Sequence, residues 1–203
     1  FAQLERETIA ERVKDNMHQL ARTGRWLGGK TPMGYKSEPV EFYDNFMNKK
    51  KMYKLAPVSK ELSIIKLLFD KYIQLNSLTQ LQSWSIENNV KSKNGCFFDT
   101  SALSMILSNP VYCIADKLVY EYFENLHSDI ASDSNEFNGI NGLMVFNKHD
   151  IRKNKVIKKD ENEWIVAVGK HKGVISSSDW IQVQNMLESN SSKAPRKGTG
   201  KYG

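Results

Sequence analysis

The sequence is poor in cysteine, in proline and in long apolar runs. Among 203 residues there are two cysteines, Cys96 and Cys113, five prolines and four histidines. No C-x-x-C pair occurs, so neither a thiolate metal site nor a disulfide framework is indicated, and both cysteines are expected to be reduced packing residues. No apolar run approaches the roughly 18 residues that a membrane-spanning helix needs. The opening residues, FAQLERETIAERVKD, are charged rather than signal-like. A cytoplasmic protein without membrane, metal, cofactor or small-molecule partner is therefore expected. Charge of one sign is missing in two places. Residues 24–35, GRWLGGKTPMGY, contain two cations and four glycines but no acid, and between Lys117 and Lys148 there is no Lys or Arg at all.

What is abundant is positive charge, in blocks. The net charge is +6. Arg25, Lys30 and Lys36 fall in the opening segment, Lys49, Lys50, Lys51 and Lys54 in one expected loop, Arg152, Lys153, Lys155, Lys158 and Lys159 in another, and Lys193, Arg196, Lys197 and Lys201 near the end. Glu121, Glu124, Asp129, Asp133 and Glu136 fill the cation-free stretch. Lysine-rich loops are often just solvated turns, but cationic blocks alternating with an acidic stretch point to a polyanion footprint on one side.

Periodicity predicts an α+β chain. Ile9, Val13, Met17 and Leu20 make an apolar stripe on a helix over about 2–23 that Gly24 ends. Such a stripe must be covered, by another domain or a second copy, so residue 1 is expected to be a cut within a longer protein. The tail KAPRKGTGKYG is read as a linker. EFYDNFMNKKKMYKL predicts a short hairpin. Helices follow over about 59–75, with Ile65, Leu68, Phe69 and Tyr72 inward, over 78–88, opened by Ser77 with Gln80, and over 100–108, opened by Asp99 or Thr100. In the third, Ala102, Leu103, Ile106 and Leu107 claim the core, leaving Thr100, Ser101, Ser104 and Ser108 outward. Further on, VYCIADKLVY and NEWIVAVGKHKGVIS read as strands able to pair. Residues 121–147 read as an inserted or mobile loop, and Ser176 with Asp179 opens a last helix with Trp180, Val183 and Leu187 on one side.

A short capped helix presenting small polar groups fits a helix-turn-helix unit, whose second helix enters the major groove; it fits an ordinary helical bundle as well. On the first reading Thr100, Ser101 and Ser104 reach base edges, while the helix N-terminus favours phosphate.

The order of these pieces resembles a large serine recombinase. QLERETIAERVKDNMHQLARTGRWLGGKTPMGY is similar to the junction where the long dimerisation helix of the catalytic domain passes through a Gly-rich linker into the recombinase DNA-binding domain. Glu5-Arg6, Ile9, Glu11-Arg12, Gly24, Arg25, Trp26, Gly28, Gly29, Pro32, Gly34 and Tyr35 carry the likeness, and ILSNPVYCI at 106–114 and WIVAVGKHKGVIS at 164–176 extend it along the chain. The resemblance implies residues 1–23 as the end of the catalytic helix, 24–35 as a basic linker, 36–190 as a mostly helical DNA-binding domain with a helix-turn-helix-like bundle and short antiparallel hairpins, and 191–203 as a linker toward a zinc ribbon that this chain lacks. It also implies double-stranded DNA as partner, self-association of the parent through the first helix into dimers and tetramers, a bacterial or phage origin, and phosphoserine-mediated strand exchange without nucleotide or metal. The nucleophilic serine belongs to a domain outside this sequence, so the fragment is expected not to be catalytic. Arg6 and Glu5 match positions that support the parent's active site. The linker is expected along the minor groove, with Arg25 and Lys30 in the groove and Trp26 either on DNA or packed on its own domain. Lys153 and Lys155 are further candidate DNA contacts. The acidic stretch at 121–147 has no counterpart in the family pattern. A stand-alone helix-turn-helix regulator and a basic protein-binding bundle are the competing classes.

Overall fold

The computed structural model describes residues 2–152 and 155–193. It opens with helix α1, Ala2–Ala21, whose last turn packs on the sheet through the buried Ala21. Ile9 on the expected apolar stripe is exposed and Leu20 half-buried. Strands β1, Tyr35–Tyr43, and β2, Lys49–Pro57, form an antiparallel hairpin that pairs Tyr35 with Pro57 and Tyr43 with Lys49. The hairpin starts six residues earlier than the sequence indicates, and its lysines lie on a strand rather than in a loop.

Helices α2, Ser59–Leu75, α3, Leu78–Glu87, and α4, Thr100–Leu107, follow the apolar spacing closely. Ile65, Leu68, Phe69 and Tyr72 of α2 are buried, as are Leu81 of α3 and Leu103 and Leu107 of α4. Ser77 Oγ accepts from Gln80 N, and Asp99 Oδ1 accepts from Ala102 N at 2.6 Å, satisfying helix N–H groups that have no partner within the helix. The connection from α3 to α4 spans residues 88–99, longer than the three or four residues of a tight helix-turn-helix.

The last third departs most from the sequence reading. VYCIADKLVY is not a strand: Pro110–Tyr112 form a 3-10 turn, Cys113 and Ile114 make isolated bridges, and residues from Lys117 to Asn125 form helix α5. The reason is local and tertiary at once. Asp116 Oδ1 accepts from Val119 N to cap the helix, and Val119 and Phe123, four residues apart, are both fully buried. Nor is 121–147 a loop insertion. It holds the end of α5, strand β3 at Asp129–Ile130 and strand β4 at Asn141–Phe146, and it supplies Phe137, Leu143 and Met144 to the core.

Strands β5, His149–Arg152, and β6, Lys155–Lys158, make a second hairpin, so this lysine block too lies partly on strands. Strand β7, Ile165–Lys172, runs between β3, parallel to it, and β4, antiparallel to it. Helix α6, Ser177–Lys193, closes the fold with Trp180 and Val183 buried and Ser176 Oγ accepting from Asp179 N. One apolar core links helices and sheet. The buried His171 of β7 sits edge-on to Tyr35, with Nε2 2.8 Å from Val111 O; burial lowers its pKa, so the neutral ring donates there. Of the two cysteines Cys113 is buried, but Cys96 is exposed and does not pack. Among the described residues no helix is long and apolar enough to cross a membrane.

Candidate nucleic-acid interface

Residues 24–35 are too rich in glycine to hold a shape alone, yet the structure pins them at both ends. At Gly24, φ is +64° and an added Cβ would lie 2.1 Å from Val168 O, so the backbone sits directly on β7. At Gly34, φ is +93° and a Cβ would meet Leu62 Cδ2 at 2.5 Å. Only glycine satisfies both the left-handed conformation and the close approach. Between these anchors Trp26 N donates to Tyr53 O at 3.0 Å, and Gly34 N donates to Glu61 Oε2 at 2.7 Å. Tyr112, its hydroxyl pushed well above the ordinary phenol pKa by burial, donates to Met33 O at 2.7 Å. The middle is open: nothing lies within 4 Å of a Cβ built on Gly28 or Gly29. The segment is a docked strap with an accessible centre.

The strap forms one wall of a cleft of about 710 Å³. Ser92, Lys93, Asn94, Phe97 and Phe98 and the Ala102, Met105 and Ile106 side of α4 form the second wall, and β4 with Lys148 forms the floor. The walls are tied together by Lys93 Nζ, which donates to Thr31 O at 3.3 Å. Helix α4 is fixed from behind by α6, since Trp180 Nε1 donates to Asn109 O and Gln184 Nε2 to Leu107 O. The lining includes Lys30, Lys93 and Lys148 and no Asp or Glu. Burial, with some repulsion from Lys158, pulls the Lys148 ammonium down to about 8.

The candidate residues separate into groups. Trp26 and Lys30 line the cleft. Trp26 is half-buried against the domain core, and its Nε1 is buried without a hydrogen-bond partner. Arg25 is half-buried, its Nε donating to Thr23 Oγ1 at 2.8 Å. Ser101 is exposed on α4, whereas Thr100 and Ser104 are half-buried on its flanks. Lys153 and the side chain of Lys155 lie outside the described residues, as do residues 194–203 of the basic tail. Glu5 and Arg6 are exposed on α1.

The sequence reading missed Lys93, Lys148, Phe97 and Met105, all on the cleft. For Met105 the signal was present: two residues beyond Leu103, it falls on the opposite face of the helix from the core. The α4 N-terminus also differs from expectation. The exposed Asp99 carboxylate caps it, placing negative charge where a phosphate was to sit.

Comparison with known proteins agrees with this architecture. The chain superposes on the crystal structure of an LSR–DNA complex, LSR being a large serine recombinase, with a TM-score of 0.50 at 16% identity, over 94% of this chain and 43% of that one. At that identity the likeness is one of fold, and the chain spans less than half of its neighbour's length. No curated protein matches it. The Recombinase family model matches residues 59–190, from the start of α2 almost to the end of α6. With well over half of its length matched, the chain belongs to the Recombinase family.

Proposed function

We propose that this chain is the DNA-binding module of a large serine recombinase and that double-stranded DNA lies across the cleft between the strap and α4. The observation that carries the reading is the convergence of three cations from distant parts of the sequence, Lys30, Lys93 and Lys148, on one concave surface whose lining contains no carboxylate. A polyanion gains most where cations are grouped and no like charge opposes it. The open glycines at 28 and 29 let the strap backbone approach a groove closely, and the exposed face of α4 stands beside it.

In this reading residues 1–23 end the catalytic-domain helix, 24–35 cross the DNA, 36–190 bind it and 191–203 lead onward. The module targets the parent to its recombination sites, where a serine in another domain attacks the phosphodiester. The exposed Ile9 belongs to a face that the parent covers by self-association. Arg6 and Glu5 support the parent's active site. The chain itself forms no covalent adduct with DNA.

The test is titration of a labelled random duplex of about thirty base pairs by fluorescence anisotropy at several salt concentrations. Phosphate-driven binding weakens by roughly tenfold or more over a few-fold rise in salt. Binding that ignores salt, or no binding at low salt, contradicts the proposal. A denaturant-stable adduct contradicts the non-catalytic part of it.

A further inference from the structure

The exposed face of α4 is not the row of small polar groups that the sequence suggests. Successive helical residues are turned by about 100°. With Leu103 and Leu107 pointing into the core, the opposite direction belongs to Ser101, Met105 and Ser108, all exposed. Met105 stands between the two serines and is 74% exposed. Also lining the cleft is Phe97, 46% exposed, with Lys91 Nζ 4.9 Å from its ring centre.

A single exposed apolar side chain is ordinary on a protein surface. Its position where the exposed face of α4 meets the cleft wall that Ala102 and Ile106 also line is what gives this one a role. The Asp99 carboxylate at the helix N-terminus disfavours a phosphate there, moving the approach toward the helix centre, where Met105 is the longest side chain on the exposed face. A thioether has no donor and is a weak acceptor, so it cannot read the hydrogen-bonding groups of a base edge. The major groove offers one apolar group, the thymine 5-methyl.

We propose that Met105 reads a thymine by packing its thioether against the 5-methyl group, with Phe97 helping to exclude water from the contact. The inference rests on the proposed DNA-binding role of the cleft and adds the base that α4 selects.

The experiment selects duplexes from a random-sequence library with the 203-residue chain and with its Met105→Ala and Met105→Leu variants. The enriched duplex is then resynthesised with deoxyuridine at each thymine in turn, which deletes only the methyl. Wild type should lose roughly fourfold in affinity at one or two thymines, the value of one buried methyl. Met105→Ala should lose that sensitivity at the same position, while Met105→Leu retains it. Because Met105 lies outside the core, all three chains should give the same circular dichroism spectrum.

A Met105→Ala chain with the wild-type deoxyuridine profile overturns the thymine contact and leaves the DNA-binding role standing. A wild-type chain that binds DNA yet enriches no sequence overturns base reading by α4, and the thymine contact with it. A chain that does not bind duplex at all overturns the proposed function.

Discussion

Two groups of lysines, alike in sequence, meet opposite surroundings. On the β1–β2 hairpin Lys49 pairs with Glu41 at 2.6 Å, Lys50 with Asp44 at 3.0 Å and Lys54 with Glu38 at 3.4 Å. There the Lys50 ammonium, together with the N–H groups of Asn48 and Phe46, holds the Asp44 carboxyl down to about 2. In the cleft Lys30, Lys93 and Lys148 share a lining without acids. The densest cationic run in the sequence is therefore largely answered within its own hairpin, whereas three scattered lysines make the more positive surface. Exposed ion pairs of the hairpin kind contribute little to stability, but they do lower the field that a phosphate would meet.

The cleft lysines depend on a wall that must stay docked, and the hairpin lysines do not. Gly24→Ala should break the wall, since its Cβ meets the Val168 carbonyl at 2.1 Å and φ is +64°. A loss on the order of 3 kcal/mol in urea denaturation is expected. Gly28→Ala, strained in φ but open in space, should cost about 1 kcal/mol. Equal costs would mean that the strap is not seated on β7.

Next in size is charge reversal. Lys30→Glu with Lys93→Glu should weaken binding to any duplex by about a hundredfold at moderate salt and flatten the salt slope by roughly 0.9 for each phosphate that the variant no longer neutralises.

Smaller again is the pH effect of Lys148. Only its protonated form attracts phosphate, and burial sets its pKa near 8 in the free chain. As pH rises from 7 to 9, binding must restore the proton, so affinity should fall by up to about tenfold. Lys148→Met should bind more weakly at pH 7 and lose this pH dependence. A wild-type profile flat between pH 7 and 9 would place Lys148 away from the DNA.

The smallest effect is expected from Lys49→Ala, Lys50→Ala and Lys54→Ala together: within about twofold, with the salt slope unchanged, because each removed cation already had an acid beside it. A slope reduced as far as by the cleft variant would erase the contrast.

The helical half was legible because long amphipathic segments carry their own signal. The inward residues of α2 recur at steps of three and four, and Ser77 and Asp99 mark helix starts by side-chain chemistry alone. The start of helix α5 was misread as strand because Val119 and Tyr120 favour strands by type, while Asp116 and the burial of both Val119 and Phe123 decide for helix. Strand β4 was missed because the run LMVF is short and becomes a strand only against β7.

The site was half legible for the same reason. The acid-free strap announces itself locally. Lys93 and Lys148, more than fifty residues apart, become neighbours of Lys30 only through packing, and the pairing of the hairpin lysines with Glu38, Glu41 and Asp44 needs the strand register.

The chain carries its own reporter for the central claim that DNA occupies the cleft. Cys96 is exposed between Asn94 and Phe97, both on the cleft wall, whereas burial and the nearby Asp116 hold the Cys113 thiol well above its ordinary pKa and keep it silent. The rate of iodoacetamide alkylation of Cys96, with and without random duplex at low salt, tests the claim directly. An Asn45→Cys variant at the hairpin tip serves as the reference. DNA should slow Cys96 modification by about fivefold or more, reversibly with added salt, and leave the reference thiol nearly unchanged. An unprotected Cys96 beside a protected hairpin tip, under conditions where anisotropy shows the duplex bound, would put the DNA on the hairpin and contradict the account.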